Sequence, residues 1–481
     1  MTSTIKVNNI QNQCGANIIN ESSNTITLGA SGDTVTLASG ASQSGFGRTG
    51  TVDWQTTVKT SGFTATSGEG YFCNTTSGAF TVTLPASPTA GDIVAVKDYA
   101  LTFDTNNLTI GRNSQPIEGA AADATISVEG QAVTLVYIDG TQGWKITDQG
   151  KKADINIPEY VTATGGTITT CGNFKIHTFT GPGTFCVSNA GNPLGSNTFD
   201  YLVVAGGAAG GIGYNASGGG GGAGGLRFSA STFTAPPTSA PRAGSALPAS
   251  ATAFPITVGA GGTVSGPGNP NGVRGNPGAN SVFSTITSTG GGGGGGYNLP
   301  IAPGLSGGSG GGGGGDTSGG NSSGGSGNTP PVSPSQGNDG GGGFDTGPWY
   351  PAGGGGGAGG AGATSPAPAH GSPGGVGLQV NIDTNTYYWA GGGGGAAWDG
   401  ANGGPGGLGG GGGGATYQAC GGSGGGSALN SGGTGGGNWP SDAAGGSGGA
   451  NTGGGAGGNN CTPATKGNGG SGIVIIRYKF Q

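Results

Sequence analysis

Alternating apolar and polar residues mark the first two hundred positions of the chain and its last ten, and the long stretch between them shows almost no such alternation. Residues 24–40 read NTITLGASGDTVTLASG, in which TITL and TVTL recur so that Ile26 matches Val35 and Leu28 matches Leu37. This period of two between Gly, Ser and Asp turns predicts strand, turn, strand. Single short strands cannot bury an apolar face alone, whereas three copies wound together can, so residues 1–50 are expected to form an N-terminal attachment segment and trimeric β shaft. Over 51–150 the segments FTVTLP (80–85), DIVAVKD (92–98), NLTIG (107–111), ATISV (124–128) and AVTLVYIDG (132–140) predict a β-sandwich, with Trp54 and Trp144 as core or interface aromatics. A β connector is expected over 151–204, turning at Gly181-Pro182-Gly183, with His177 as a structural histidine. No 3.6-residue periodicity occurs, so essentially no α-helix is expected.

Composition changes this picture after residue 201. Of 124 glycines in 481 residues, 25 lie in residues 1–201 and 99 in residues 202–481. Uninterrupted runs fall at 218–222, 290–296, 310–315, 340–343, 353–357, 391–395 and 409–414, without the strict three-residue period of collagen. Ten charged side chains occur between residues 202 and 472: Arg227, Arg242, Arg274, Asp316, Asp339, Asp345, Asp383, Asp399, Asp442 and Lys466. Such a segment cannot build a conventional side-chain core. One reading is a flexible tether, because each glycine loses about 1–2 kcal/mol of backbone entropy on ordering. Against it stand aromatics recurring between the runs and the apolar terminal strand IVIIRYKF (473–480), whose natural partner is YLVVA (201–205). The alternative is a lobe over 205–481 made of polyglycine II helices, closed by that strand. Three-residue helices whose N–H and C=O groups point outward must satisfy them on neighbours, and glycine alone permits the close approach.

The formal charge of −6 leaves no polybasic patch for nucleic acid or anionic membranes. MTSTIKVNNI lacks a secretory pattern and no run reaches membrane-spanning length, so synthesis in a cytoplasm without membrane insertion is expected. The six cysteines (14, 73, 171, 186, 420, 461) contain no C-x-x-C pair and read as free thiols, with a Cys171–Cys186 bridge as the alternative.

Several separated motifs carry a family resemblance. STIKVNNIQN (3–12), NIINESSNTITLGASGDTVTLASGASQSGFGR (17–48), VDWQTTVKT (52–60) and EGQAVTLVYIDGTQGW (129–144) resemble the N-terminal part of tail fibre proteins from marine phages, cyanophages in particular. KIHTFTGPGTFCV (175–187), FDYLVVAGG (199–207), ITVGAGG (256–262), NSVFSTITSTGGGGGG (280–295) and GGSGIVIIRY (469–478) resemble the glycine-rich distal domains of the same proteins. More distantly, the alternation of glycine runs with aromatic loops resembles the tip adhesins of T-even-like phages. The resemblance implies a homotrimeric virion tail fibre, anchored to other tail proteins by its N-terminus and adsorbing to a bacterial surface receptor, protein or glycan. A purely structural fibre or decoration protein is the alternative.

The candidate chemistry is recognition. Matches to G-x-G-x-x-G are expected by chance in runs of glycine and no G-K-[ST] follows them. Asp339 and Asp345 form the nearest carboxylate pair and read as turn residues, so no catalytic residue, metal site or cofactor is expected. Trp and Tyr offer large rigid contact area at low entropy cost. Tyr297, Phe344, Trp349, Tyr350, Trp398, Tyr417 and Trp439 all lie between glycine runs, with Asp345, Asp399 and Asn438 beside them to add selectivity. Trp389, in TNTYYWAGGGGG, instead looks like part of a strand.

Overall fold

A computed structural model describes residues 9–11, 17–22, 25–28, 52–150, 158–214, 216–264, 272–315, 320–345, 347–364, 370–437, 444–460 and 466–481. The protein is mainly β, with no α-helix and one short 3-10 turn at Ala240–Arg242 among the described residues. Among the described residues no helix is long and apolar enough to cross a membrane. The chain divides into two compact units, Met1–Asn156 and Ile157–Gln481, so the strands that follow residue 157 belong with the glycine region.

In the first unit, Asn9–Gln11, Asn17–Ser22 and Thr25–Leu28 form a three-stranded antiparallel sheet. The second repeat, around Val35 and Leu37, lies outside the described residues. Beyond residue 51 two sheets enclose one core that includes Val82, Val94, Leu108, Leu135 and Trp144. Their winding is not a simple meander. Asp53–Lys59, Glu69–Cys73 and Ile93–Asp98 lie parallel in one sheet, while Phe63–Thr64, Phe80–Thr83 and Leu108–Gly111 lie parallel in the other. Successive strands therefore alternate between sheets and coil around the core, and the antiparallel hairpin Ala132–Asp139 and Gly143–Gly150 closes the stack. Trp144 is fully buried against Tyr137, but Trp54 is 40% exposed and lies over Gly70 beside Phe72, on an outer face.

The second unit begins as a sandwich. One sheet orders Val161–Thr164, Gly183–Ala190, Ala253–Thr257, Ser281–Phe283 and Ile286–Ser288. The other orders Thr167–Cys171, Phe174–Phe179, Ile473–Lys479, Thr198–Val204 and Leu226–Phe228. Ile473–Lys479 runs antiparallel to Thr198–Val204, with Tyr201 opposite Ile476, so the glycine region is bracketed by its own closing pair. Apart from the buried Asp200 and Arg477 and the terminal Thr198 and Lys479, these central strands are apolar, because both faces are covered. Tyr201, Val203, Val474 and Ile476 enter the core between the sheets. Leu202, Val204, Ile473 and Ile475 enter a second core with Leu378, Val380, Ile382 and Trp389. Trp389 sits in the short strand Tyr388–Trp389 and donates its indole N–H to the Val380 carbonyl at 3.0 Å. His177 is buried between the Gly165 carbonyl (2.7 Å) and the Tyr478 hydroxyl (3.0 Å), a satisfied structural histidine. Desolvation holds its pKa below the ordinary histidine range. Cys171 and Cys186 are separate exposed thiols, and Cys73 and Cys420 are also free.

From the sandwich the chain runs out and back repeatedly as extended glycine segments. Residues 217–225 show the rule. The N–H groups of Gly218, Gly221 and Gly224 donate to Asn459, Ala456 and Gly453, those of Gly219, Gly222 and Gly225 to Gly295, Gly292 and Thr289, and those of Gly220 and Ala223 to Gly353 and Gly356. Their carbonyls accept with the same beat. Gly219, Gly222 and Gly225 receive from Gly211, Ala208 and Ala205; Gly218 and Gly221 from Ala396 and Gly393; Gly220 and Ala223 from Gly312 and Ser309. A three-residue repeat of lateral bonds is the signature of the polyglycine II helix. Each residue faces a different direction from its predecessor, so this one segment is surrounded by six others and every N–H from Gly218 to Gly225 is bonded to a neighbour. Its length is about 28 Å at 3.1 Å per residue. A Cβ at Gly220 would overlap the Gly393 carbonyl oxygen, and one at Gly221 the Ala208 carbonyl oxygen. The interior is thus backbone packed on backbone.

The boundary of this lattice follows from the same geometry. In residues 402–408 the N–H groups of Gly403 and Gly406 bond to one neighbour and those of Gly404 and Gly407 to another, which leaves Asn402, Pro405 and Leu408 as the exposed third row. Pro277, Pro373 and Pro405 are all exposed, at positions where a missing N–H removes no lattice bond.

Candidate recognition face at the loop end

Because the segments alternate in direction, their connections fall at two ends. The end away from the sandwich is fixed by backbone bridges that join Ile212 to Val273 and Asn459, Ser217 to Asn460, Ser322 to Gly343, and Ala397 to Thr416. Every sequence-predicted recognition residue within the described set leaves the lattice at this end. The Gly436 N–H donates to Ala444 at this same end; the predicted Asn438 and Trp439 lie outside the described residues.

Three loops converge there. Residues 344–351 close where the Phe344 N–H donates to the Pro351 carbonyl at 3.0 Å. Within this loop Gly347–Pro348 is cis, Tyr350 has φ +37°, and the Asp345 N–H donates to Asn321 Oδ1 at 3.3 Å. Residues 398–401 form a tight turn in which Asp399 and Gly400 both have positive φ, +43° and +83°, and the Ala401 N–H returns to the Trp398 carbonyl at 3.2 Å. An Asp-Gly pair suits such a turn, since Asp tolerates the left-handed region and Gly adopts it without strain. The Trp398 N–H donates to the Trp349 carbonyl at 2.9 Å and ties the two loops together. The third loop, 417–420, brings the Tyr417 ring to 4.4 Å from Trp398 at an interplanar angle of 18°. Trp349, Tyr350, Trp398 and Tyr417 are half-buried, while Asp399 is exposed.

Tyr297 stands apart from this cluster. Its loop closes where the Gly296 N–H donates to the Ile301 carbonyl at 2.9 Å, and Arg274 clamps the same loop through the carbonyls of Pro300, Ile301 and Pro303. That clamp, and the exposed Leu299 (65%) and Tyr214 (40%), belong to the same end and escape sequence reading as recognition residues. The available signal was position, because Tyr214 lies between GIG and a glycine run and Leu299 follows GGGGGGYN. Asp339 and Asp345 do not converge. They flank the segment 340–343 at opposite ends, about 19 Å apart at 3.1 Å per residue, and Asp339 accepts the Gly327 N–H at 2.7 Å as a turn residue does.

The loops can offer flat rings, a carboxylate and amides on a support that does not yield, because Ala396, Ala397, Ala415 and Thr416 beneath them are completely buried. Among curated proteins no sequence matches this one. A family model described as a glycine-rich domain matches residues 178–450, more than half of the chain and nearly the whole lattice. By this match and by the polyglycine packing, the chain belongs to the glycine-rich domain family.

Proposed function

We propose that the protein is a virion tail fibre that adsorbs to a bacterial surface receptor through the loop end of its glycine lattice. The observation that carries this reading is the gathering of Phe344, Trp349, Tyr350, Trp398 and Tyr417 at one end of a rigid backbone lattice, whose chain enters and leaves through a sandwich at the other end. Attachment is non-covalent and involves no catalytic step or cofactor. In this reading the fibre is a homotrimer held in the virion through its N-terminal segment, after synthesis in the host cytoplasm. Several weak contacts on three lobes gain avidity of roughly 10²–10⁴ over a single contact, so modest loop affinity suffices.

Exchange of residues 297–444 with those of a related fibre tests the reading. Host range is expected to follow the exchanged segment. Adsorption that is unchanged by the exchange, or by removal of the lobe, would instead assign the lattice to a structural spacer.

A further inference from the structure

The Trp398–Tyr417 step has neighbours that specify a ligand more narrowly than aromatic content does. Asn402 Oδ1 accepts the Cys420 N–H at 3.1 Å, so its amide is held in place at the exposed rim of the step. Asp399 is exposed at the tip of the adjoining turn and Gln418 is exposed beside Tyr417. The surface therefore combines near-parallel rings, one carboxylate, and amide groups able both to donate and to accept. Among the described residues of these three loops no Lys or Arg occurs, and Arg274 on the neighbouring loop is engaged by three carbonyls. An anionic ligand would meet the carboxylates of Asp345 and Asp399.

Aromatic faces carry negative charge density, so they attract the weakly positive C–H face of a saturated ring. Hydroxyls around the rim of that ring need acceptors and donors of the kind Asp399, Asn402 and Gln418 supply. We propose that the Trp398–Tyr417 step binds the pyranose ring of a neutral hexose in a surface glycan, with Asp399 and Asn402 engaging its hydroxyls. The inference rests on the adsorption reading and adds the receptor class to it. A protein receptor is the competing outcome.

Two measurements on the full-length protein test it. In saturation-transfer NMR with the methyl glycosides of glucose, galactose and mannose, transfer to the axial ring protons of at least one is expected. Trp398→Ala should weaken this binding about tenfold or more, as loss of a buried-face aromatic anchor does, while Trp398→Phe retains most of it. Asp399→Asn, at an exposed position that leaves folding intact, should weaken it severalfold. Separately, adsorption to a panel of marine cyanobacterial cells is expected to disappear after periodate cleaves surface vicinal diols and to survive protease treatment. Absence of transfer to all three glycosides, or adsorption that survives periodate and is lost to protease, overturns the glycan assignment and leaves adsorption standing. Failure to adsorb to any untreated cells overturns the adsorption reading itself.

Discussion

The coiled sandwich of residues 52–150 and the glycine lattice both bury long extended segments, by opposite means. In the sandwich, side chains such as Leu135 and Trp144 fill the space between sheets and the backbone bonds only within each sheet. In the lattice, segment 217–225 bonds in six directions and side chains are what the interior excludes. A core of side chains is weakened by taking atoms away, and a core of backbone by adding them.

The largest expected effects separate the two regions by this rule. Trp144→Ala should destabilise the first unit by about 3–5 kcal/mol in urea unfolding, because a fully buried ring leaves a cavity. In the lattice, the single added methyl of Gly220→Ala should cost about 1–3 kcal/mol or more, since the Gly393 carbonyl must move and is held by its own bonds. Gly426→Ala, where a Cβ meets nothing within 4 Å, should change stability by less than about 0.5 kcal/mol. Equal costs for Gly220→Ala and Gly426→Ala would break the comparison.

Amide exchange sharpens it at single-residue level. Protection is expected at every position from Gly218 to Gly225, whereas in 402–408 Gly403, Gly404, Gly406 and Gly407 should be protected and the exposed Leu408 should exchange quickly. Uniform rapid exchange through the glycine runs would refute the lattice outright.

A smaller difference concerns acid. Burial depresses the His177 pKa, so the unfolded chain takes up a proton that the native state refuses. Its contribution is present above the unfolded value, about 6.5, and is lost as pH falls from there through the lower native value. In the first unit Glu118 is held low first by the Ile146 N–H and then by Lys145, so its small contribution is lost only below the ordinary glutamate value of about 4.3. Acid titration of unfolding should therefore weaken the second unit at higher pH than the first, and His177→Gln should remove the upper part of that dependence.

Strand positions were legible because period-two patterning reports which faces are buried. FTVTLP, DIVAVKD and NLTIG all contain observed strands, yet nothing in them distinguishes an antiparallel meander from the parallel coil that forms. Pairing partners are chosen by the path of the connections, which local patterning does not encode. The recognition loops were legible as a class, since glycine runs must be reversed by something and the aromatics lie at the reversals. Their grouping was not. Trp398 and Tyr417 meet although eighteen residues of chain separate them, and Tyr297, which reads the same in sequence, belongs to a different loop clamped by Arg274.

The amino-acid sequence by itself determined that the glycine runs could not be ordered around side chains, and that apolar strands at either edge had to close on each other; that Ile256, Phe283, Leu378, Val380, Ile382 and Trp389 between the runs nonetheless join side-chain cores corrects the expectation that 202–472 builds none. It also determined where the lattice must stop, by placing Pro277, Pro373 and Pro405 where no N–H is wanted. Tertiary structure alone decided which segment neighbours which, because one glycine run is chemically the same as the next and offers no label. Only the order of connections, and the direction in which each residue's N–H emerges every third position, settles which loops stand together at the exposed end.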